Sequence, residues 1–163
     1  MMATVRSIKI IGILGSLFVV LSIGLFISVA AQYNSKDQEI GRDGDCIAYA
    51  CGVVWDTKAG LEWVAGPDKN TNWDDGKRWI ENLTVAGGGW RMPTTDELKT
   101  LYEKDRGSRN MTPLLETTGW YVWFGETKDS SSARGFYFLI GYRVEESRNA
   151  SSNFRAFAVR SRK

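Results

Sequence analysis

The pattern of apolar and polar residues after residue 52 predicts a domain that begins with a hairpin and a helix. Residues 53–56 and 61–64 are short β-prone runs, and the turn-like segment between them ends in Gly60. This arrangement is typical of a β-hairpin. From Trp73 to Leu83, apolar side chains recur at helical spacing, which predicts an amphipathic helix whose apolar face is buried.

The next segment combines a glycine run with a second helix start. Gly87–Gly89 permit a tight passage of the backbone, Trp90 is a large apolar anchor, and Pro93 favours an extended chain before it. Thr94 and Glu97 have the spacing of a capping box, in which each side chain bonds to the other residue's backbone N–H. The sequence therefore predicts a helix that begins after Thr94.

The C-terminal third predicts three strands separated by polar loops. Residues 120–124, 135–144 and 154–160 are rich in aromatic and β-branched side chains, whereas residues 126–134 and 145–153 are polar. Together with the hairpin and the two helices, this pattern indicates an α+β fold.

Residues 1–31 differ from the rest of the chain. Residues 10–31 carry no charge, and the basic residues Arg6 and Lys9 precede them. A bilayer core requires about 20 apolar residues in a helix, and a basic flank favours the cytoplasmic side. We expect either a single-pass inner-membrane anchor or a cleaved signal peptide. Both place the domain in the periplasm or outside the cell, with residues 32–52 as a spacer.

Cys46 and Cys51 lie in this spacer with the spacing C-x4-C. In an exported protein an even pair of cysteines favours a disulfide. Two reduced thiols, or half of a metal site, are the alternatives. The chain has no His and no further Cys, so a zinc site would lack ligands.

The loop after the hairpin has polar residues at alternate positions, as the first part of a calcium loop has: Asp68, Asn70, Asn72 and Asp74. A calcium loop of this kind also needs Gly at position 6 and Glu at position 12, where this chain has Trp73 and Trp79. We therefore predict a polar loop in which Asn72 caps the following helix, and no metal site.

Charge and composition limit the function. The net charge is +2, and it comes from Arg6 and Lys9, since acidic and basic residues balance from residue 32 onward. The balance excludes the strong basic excess of a nucleic-acid-binding domain. Without His, the usual general base is missing. The acidic pairs are consecutive, so on a helix their carboxylates diverge. We expect no catalysis and no cofactor.

Several motifs together resemble one known family, the domain of unknown function 1566, also called the Legionella collagen-like protein C-terminal domain. The similarity covers about residues 53–162 and defines a domain over residues 53–163. It rests on Val54-x-Asp56, Gly60-Leu61-x-Trp63, a helix led by Trp73, Gly89-Trp90-Arg91-Met92-Pro93-Thr94-x-x-Glu97-Leu98, an aromatic strand at residues 121–124, and Val159-Arg160.

The resemblance implies a C-type lectin-like α+β fold, with about two helices packed on short antiparallel strands, usually on exported or surface proteins. The member that names the family binds sulfated glycosaminoglycans and serves adhesion. The residues that match the family pattern are read as structural: Trp90, Arg91, Pro93, Thr94, Glu97 and Arg160. The chain lacks a collagen-like Gly-x-y tract and the sugar-calcium motifs of animal lectins.

Residues 134–163 carry seven basic and two acidic side chains, which suggests where a ligand binds. Four arginines in this region could make bidentate contacts with sulfate or carboxylate groups of a glycan: Arg134, Arg143, Arg148 and Arg155. The alternative is that these arginines pair with carboxylates of the domain itself. We therefore expect an exported, non-catalytic module that binds an anionic glycan or another envelope component. An envelope assembly protein with a protein partner is the alternative, and an enzyme related to formylglycine-generating enzymes is a weaker one.

Overall fold

A computed structural model describes residues 38–162. The predicted anchor or signal segment, residues 10–31, lies outside the described residues. Within residues 38–162, neither helix has the length and apolar character that a membrane crossing requires.

The first of two β-sheets contains five strands, all antiparallel, in the order β1-β2-β3-β4-β9. The strands are β1 (Glu39–Asp43), β2 (Cys46–Tyr49), β3 (Val54–Asp56), β4 (Leu61–Ala65) and β9 (Phe157–Ser161). The predicted hairpin is confirmed as β3 and β4. Its turn ends at Gly60, whose φ of +70° lies in the left-handed region that favours glycine.

The second sheet contains four strands in the order β7-β6-β5-β8. The strands are β5 (Tyr121–Thr127), β6 (Ser132–Tyr137), β7 (Tyr142–Ser147) and β8 (Phe154–Arg155). All pairs are antiparallel except β5 and β8, which run parallel. Residue 156 separates β8 from β9, so the chain passes from one sheet to the other there.

Among residues 38–162, two α-helices accompany the sheets, α1 (Trp73–Glu81) and α2 (Thr95–Leu101), and the α+β class is confirmed. Asn72 caps α1 by accepting a hydrogen bond from the backbone N–H of Asp75, as predicted. Both hydrogen bonds of the capping box are present at the start of α2. Short 3-10 helices lie between the larger elements: Val85–Gly87, Gly107–Arg109 and Pro113–Leu115.

The first sheet is covered on both faces. On β4, Trp63 packs into a cluster with Phe124 and Phe136 of the second sheet and Leu98 of α2. Its neighbour Val64 points the other way and joins a cluster that contains Ile80 of α1 and Trp90. Because successive strand residues alternate between faces, one strand contributes to both clusters. The second sheet, α2 and α1 are thereby fixed relative to the first sheet.

Residues 32–52 were predicted to be a spacer, and this prediction is wrong for residues 39–49. Residues 39–49 form β1 and β2 of the first sheet, and Cys46, Ile47 and Ala48 are buried. The sequence signal was weak because β1 is an edge strand with mostly exposed, charged side chains, which do not alternate with apolar ones.

The expected disulfide is also absent from the structure, where Cys46 is a buried thiol. Cys46 begins β2, opposite Asp56. Cys51 lies in the turn after the other end of this strand. A four-residue strand extends roughly 10 Å, whereas bonded cysteines have Cα atoms about 4.4–6.8 Å apart. The extended backbone therefore keeps the two sulfur atoms apart.

The predicted strand over residues 135–144 is a hairpin of β6 and β7 instead. Its turn includes Gly141, whose φ of +70° is accessible to glycine and whose N–H donates to the carbonyl of Tyr137 at 2.9 Å. The apolar side chains of Leu139 and Ile140 made this turn look like a continuous strand in the sequence.

Candidate functional site

The segment around Trp90 is a structural junction. The indole Nε1–H of Trp90 donates to the carbonyl of Val85 at 2.8 Å. Arg91 makes two hydrogen bonds to the carboxylate of Glu97, one of them from Nη1 at 2.8 Å, and its backbone pairs with Val159 of β9. The hydrogen bond from Arg91 lowers the pKa of Glu97, against the opposing effect of burial. The carboxylate of Glu97 thus accepts hydrogen bonds from the backbone N–H of Thr94 at the helix start and from the guanidinium of Arg91.

Arg160 belongs to the same junction. Its guanidinium lies 4.2 Å from the centre of the Trp90 ring, and its Nε donates to Glu62 of β4 at 2.7 Å. It also donates to the carbonyls of Ala86 and Gly88 in the glycine-rich turn. Arg160 therefore ties the backbone of this turn to the first sheet, and its side chain is mostly buried.

Arg155, one of the four candidate ligand-binding arginines, is buried and paired. Only 7% of its side chain is exposed, and its Nε donates to Oδ1 of Asp68 at 2.6 Å. It also donates to Asn70 and to the hydroxyl of Thr118. Burial alone would raise the pKa of Asp68. The hydrogen bonds from Arg155 and Thr118 outweigh this effect and lower the pKa to about 2.

Two more of the candidates have carboxylate partners. Arg148 forms an ion pair with Asp74 and lies over the ring of Trp73, 4.4 Å from its centre. Arg134 lies 3.3 Å from Glu145 across the β6–β7 hairpin and 3.5 Å from Glu126.

Arg143 is the exception among the four. It is exposed on β7, and within residues 38–162 no carboxylate oxygen comes within 4.0 Å of its guanidinium. The structure therefore does not bring the four arginines together into one anion site. Each of the other three neutralises a carboxylate of the domain, which corrects the predicted cluster and leaves Arg143 as the available cation.

Arg143 lines an open groove of about 380 Å³. The groove lies between the start of α2, the strand β5 and the turn of the β6–β7 hairpin. Its lining residues are Thr95, Asp96, Lys99, Glu126, Gly141, Tyr142 and Arg143.

The charges of the groove are mostly compensated. Asp96 pairs with Lys99 at 2.9 Å, and Glu126 has Arg134 nearby. The remaining charge is the positive one of Arg143, and the ring of Tyr142 beside it is 67% exposed. The groove thus offers one cation and several hydrogen-bonding groups, and Tyr142 lines it at the hairpin end.

Tyr142 was not a sequence candidate. The available signal was Gly141, because a glycine between apolar residues often marks a turn, and residues next to a hairpin turn are frequently exposed.

A second cleft, of about 500 Å³, lies between the first sheet and the 3-10 helix Pro113–Leu115. Its walls include buried apolar side chains such as Val54 and Leu115, and its polar side chains include Asp68 and Glu116. Asp68 is already engaged by Arg155, so its charge is compensated.

The polar loop before α1 and the first turn of that helix use their side chains for structure, and of these contacts the sequence predicts the cap by Asn72. Asp68 and Asn70 accept hydrogen bonds from Arg155, Asn72 caps α1, and Asp74 pairs with Arg148. In the part of the chain that the structure describes, no three His, Cys, Asp or Glu side chains are grouped so that they could hold a metal ion.

The fold and the groove define a small α+β domain of two sheets and two helices with an open polar groove at one hairpin. The model of the Lcl C-terminal domain family matches residues 52–160, more than half of the chain. The chain therefore belongs to the Lcl C-terminal domain family, and the resemblance found in the sequence is confirmed. No curated protein matches the chain.

Proposed function

We propose that this chain is an exported, membrane-anchored binding module of the cell envelope, with a C-type lectin-like domain that holds an anionic saccharide in the groove beside Tyr142 and Arg143. The family membership supports an extracytoplasmic role. Residues 10–31 serve as the anchor in this proposal, with the domain on the outer side of the membrane.

One observation carries the choice of ligand. Arg143 is exposed next to Tyr142, and its guanidinium lies within salt-bridge distance of no carboxylate among residues 38–162. A guanidinium binds sulfate or carboxylate groups in bidentate fashion, and an exposed tyrosine ring offers a flat apolar surface with a polar edge. A sugar that carries an acidic group matches both neighbours.

The same groove argues for binding without catalysis. Asp96 is engaged by Lys99, and Glu126 lies within 3.5 Å of Arg134. A general base needs a side chain that is ready to accept a proton, and the most frequent one, His, does not occur in the chain.

Salt-dependent retention of the full chain on heparin, a sulfated polysaccharide, tests the proposal. We expect Arg143→Ala and Tyr142→Ala to elute at lower salt than the wild type. Arg78→Ala is the matched control, because it removes an exposed arginine from α1, far along the chain from the groove. Tyr142→Phe retains the ring and should retain most of the binding.

Two results would overturn the proposal. The first is that the wild type passes through the column even at low ionic strength. The second is that Arg78→Ala weakens retention as much as Arg143→Ala, because retention would then reflect overall charge and not the groove.

A further inference from the structure

The turn of the β6–β7 hairpin concentrates exposed apolar side chains. Among residues 38–162 the large hydrophobic side chains that are exposed are Ile40, Leu139, Ile140 and Tyr142. Three of these four lie at one end of the hairpin: Leu139 (47% exposed) and Ile140 (61%) are in the turn, and Tyr142 (67%) is the first residue of β7. Contiguous exposed apolar residues on a folded domain mark a contact surface.

The turn is held firmly in this conformation. The side-chain amide of Asn110 donates to the carbonyl of Phe138 at 2.9 Å and to that of Leu139 at 3.2 Å. Phe138 is fully buried, and Gly141 packs against the ring of Tyr102. These contacts hold the backbone in the conformation that presents Leu139 and Ile140 outward.

We infer that Leu139 and Ile140 insert into the interfacial region of the membrane to which the chain is anchored. This inference rests on the anchoring part of the proposed function and adds a second membrane contact, made by the domain itself. It does not require a ligand in the groove.

The order of residues in the turn matches the layers of a bilayer surface. The aliphatic pair Leu139 and Ile140 suits the hydrocarbon boundary. Tyr142 suits the headgroup level, where amphipathic aromatic rings concentrate, and Arg143 suits the phosphate layer. A protein partner would not require this succession of aliphatic, aromatic and cationic side chains.

The length of the chain between anchor and domain brings the membrane within reach. Residues 32–37 separate the apolar segment from the first described residue. Six residues span at most about 20 Å even when fully extended. An anchored domain therefore stays close to the bilayer surface, and a weak insertion becomes effective because the anchor supplies the first membrane contact.

Spin labelling of the full chain in protein-free lipid vesicles tests the inference. Nitroxides are attached to Ile140→Cys and to Ile40→Cys, in a Cys51→Ser background so that the label reacts at the introduced thiol. Ile40 is the matched control, because its exposure of 64% is close to that of Ile140. We expect the label at position 140 to collide more with oxygen and less with a water-soluble nickel complex, and the label at position 40 to remain accessible from water.

The inference fails if both labels read as water-exposed, or if both read as lipid-embedded. It also fails if the label at position 140 is exposed in vesicles but becomes shielded when envelope proteins are added, because the turn then binds a protein. Release of the chain by alkaline carbonate would overturn the anchoring and this inference together, while groove binding could persist.

Replacing both Leu139 and Ile140 by Ser separates the two proposals. A nitroxide attached to Tyr142→Cys reports on both forms of the turn. With Leu139 and Ile140 intact, this label should collide more with oxygen than with the nickel complex, and in the Ser variant this difference should be lost. The unlabelled double variant should keep its retention on heparin. The converse result is that Arg143→Ala loses its retention on heparin while the turn still inserts into the membrane. This result would show that the membrane contact does not depend on the groove.

Discussion

Arg155 donates from its Nε to Oδ1 of Asp68 at 2.6 Å, and this ion pair joins strand β8 to the loop before α1. The two residues are 87 positions apart in the sequence. Thr118 donates to the same carboxylate oxygen through its backbone N–H and its hydroxyl, each at 3.0 Å. Asp68 therefore connects its own loop to strand β8 and to the segment around Thr118. Arg155, which the sequence suggested as a ligand contact, instead stabilises the fold.

The pair makes stability depend on pH. The pKa of Asp68 is about 2 in the folded protein, below its ordinary value of 3.8. Its contribution is therefore complete above about pH 5 and is lost progressively as the pH falls through the folded-state pKa of about 2. We expect the free energy of unfolding to fall by about 1–2 kcal/mol, a value reduced for the partial exposure of the carboxylate. Urea unfolding of the wild type and of Asp68→Asn at pH 7 and pH 2.5 measures this change.

The difference between wild type and Asp68→Asn should shrink at low pH, because the protonated carboxyl resembles the amide. An equal difference at both pH values would contradict the assignment. Glu39→Gln is the control, since its ion pair with Arg42 is exposed on both sides and should contribute little at either pH.

Local signals in the sequence were sufficient for much of the fold. The hairpin at Gly60, the cap at Asn72 and the capping box at Thr94 and Glu97 depend on residues within a few positions of each other. Their geometry follows from backbone chemistry, which the sequence displays directly.

The partners of the arginines could not be predicted in the same way. Arg148 meets Asp74 across 74 positions, and only the folded chain brings the segment after β7 to the start of α1, where the N–H of Trp73 donates to the carbonyl of Arg148. The strands β1 and β2 escaped prediction because they lack an alternating pattern of their own: β2 is ordered by pairing with β3, and β1 by pairing with β2. The candidate site was therefore found only in part: Arg143 was named, whereas Tyr142 and the groove depend on the hairpin turn.

The capping box offers a prediction on helix stability. Thr94→Ala removes the acceptor for the backbone N–H of Glu97, and we expect a loss of about 1 kcal/mol in the free energy of unfolding. Thr94→Ser should retain most of it. Thr84→Ala is the matched control, because the Thr84 side chain makes no capping hydrogen bond. Similar losses for Thr84→Ala and Thr94→Ala in urea unfolding would show that the cap is not the cause.

A pair of glycines separates backbone strain from side-chain clash. Gly60 and Gly141 both have φ of +70°. A Cβ at Gly60 would meet nothing within 4 Å, whereas one at Gly141 would lie 2.6 Å from the ring of Tyr102. We expect Gly60→Ala to cost about 1–2 kcal/mol from the left-handed conformation alone, and Gly141→Ala to cost more.

The additional cost in Gly141→Ala should depend on the ring. A double-mutant cycle with Tyr102→Ala measures the coupling, and the two substitutions together should destabilise the domain less than the sum of their separate effects. Additive effects would mean that the turn moves away from Tyr102 without penalty, so the firm hold on the turn would not depend on this contact.

Cys46 provides a prediction on thiol chemistry. Burial raises the pKa of its thiol, and the charge of Asp56 opposite it acts in the same direction. Because the thiolate is the reactive form, we expect Cys46 in the folded protein to resist iodoacetamide at pH 8 and to react once urea unfolds the domain. Peptide mass mapping after timed alkylation, with and without urea, measures this difference.

In oxidising buffer the folded chain should yield no peptide that links Cys46 to Cys51, because β2 holds them apart. Rapid alkylation of Cys46 without urea, or a linked peptide, would show that the first strand pair opens readily, and that the edge formed by β1 and β2 is not a stable part of the sheet.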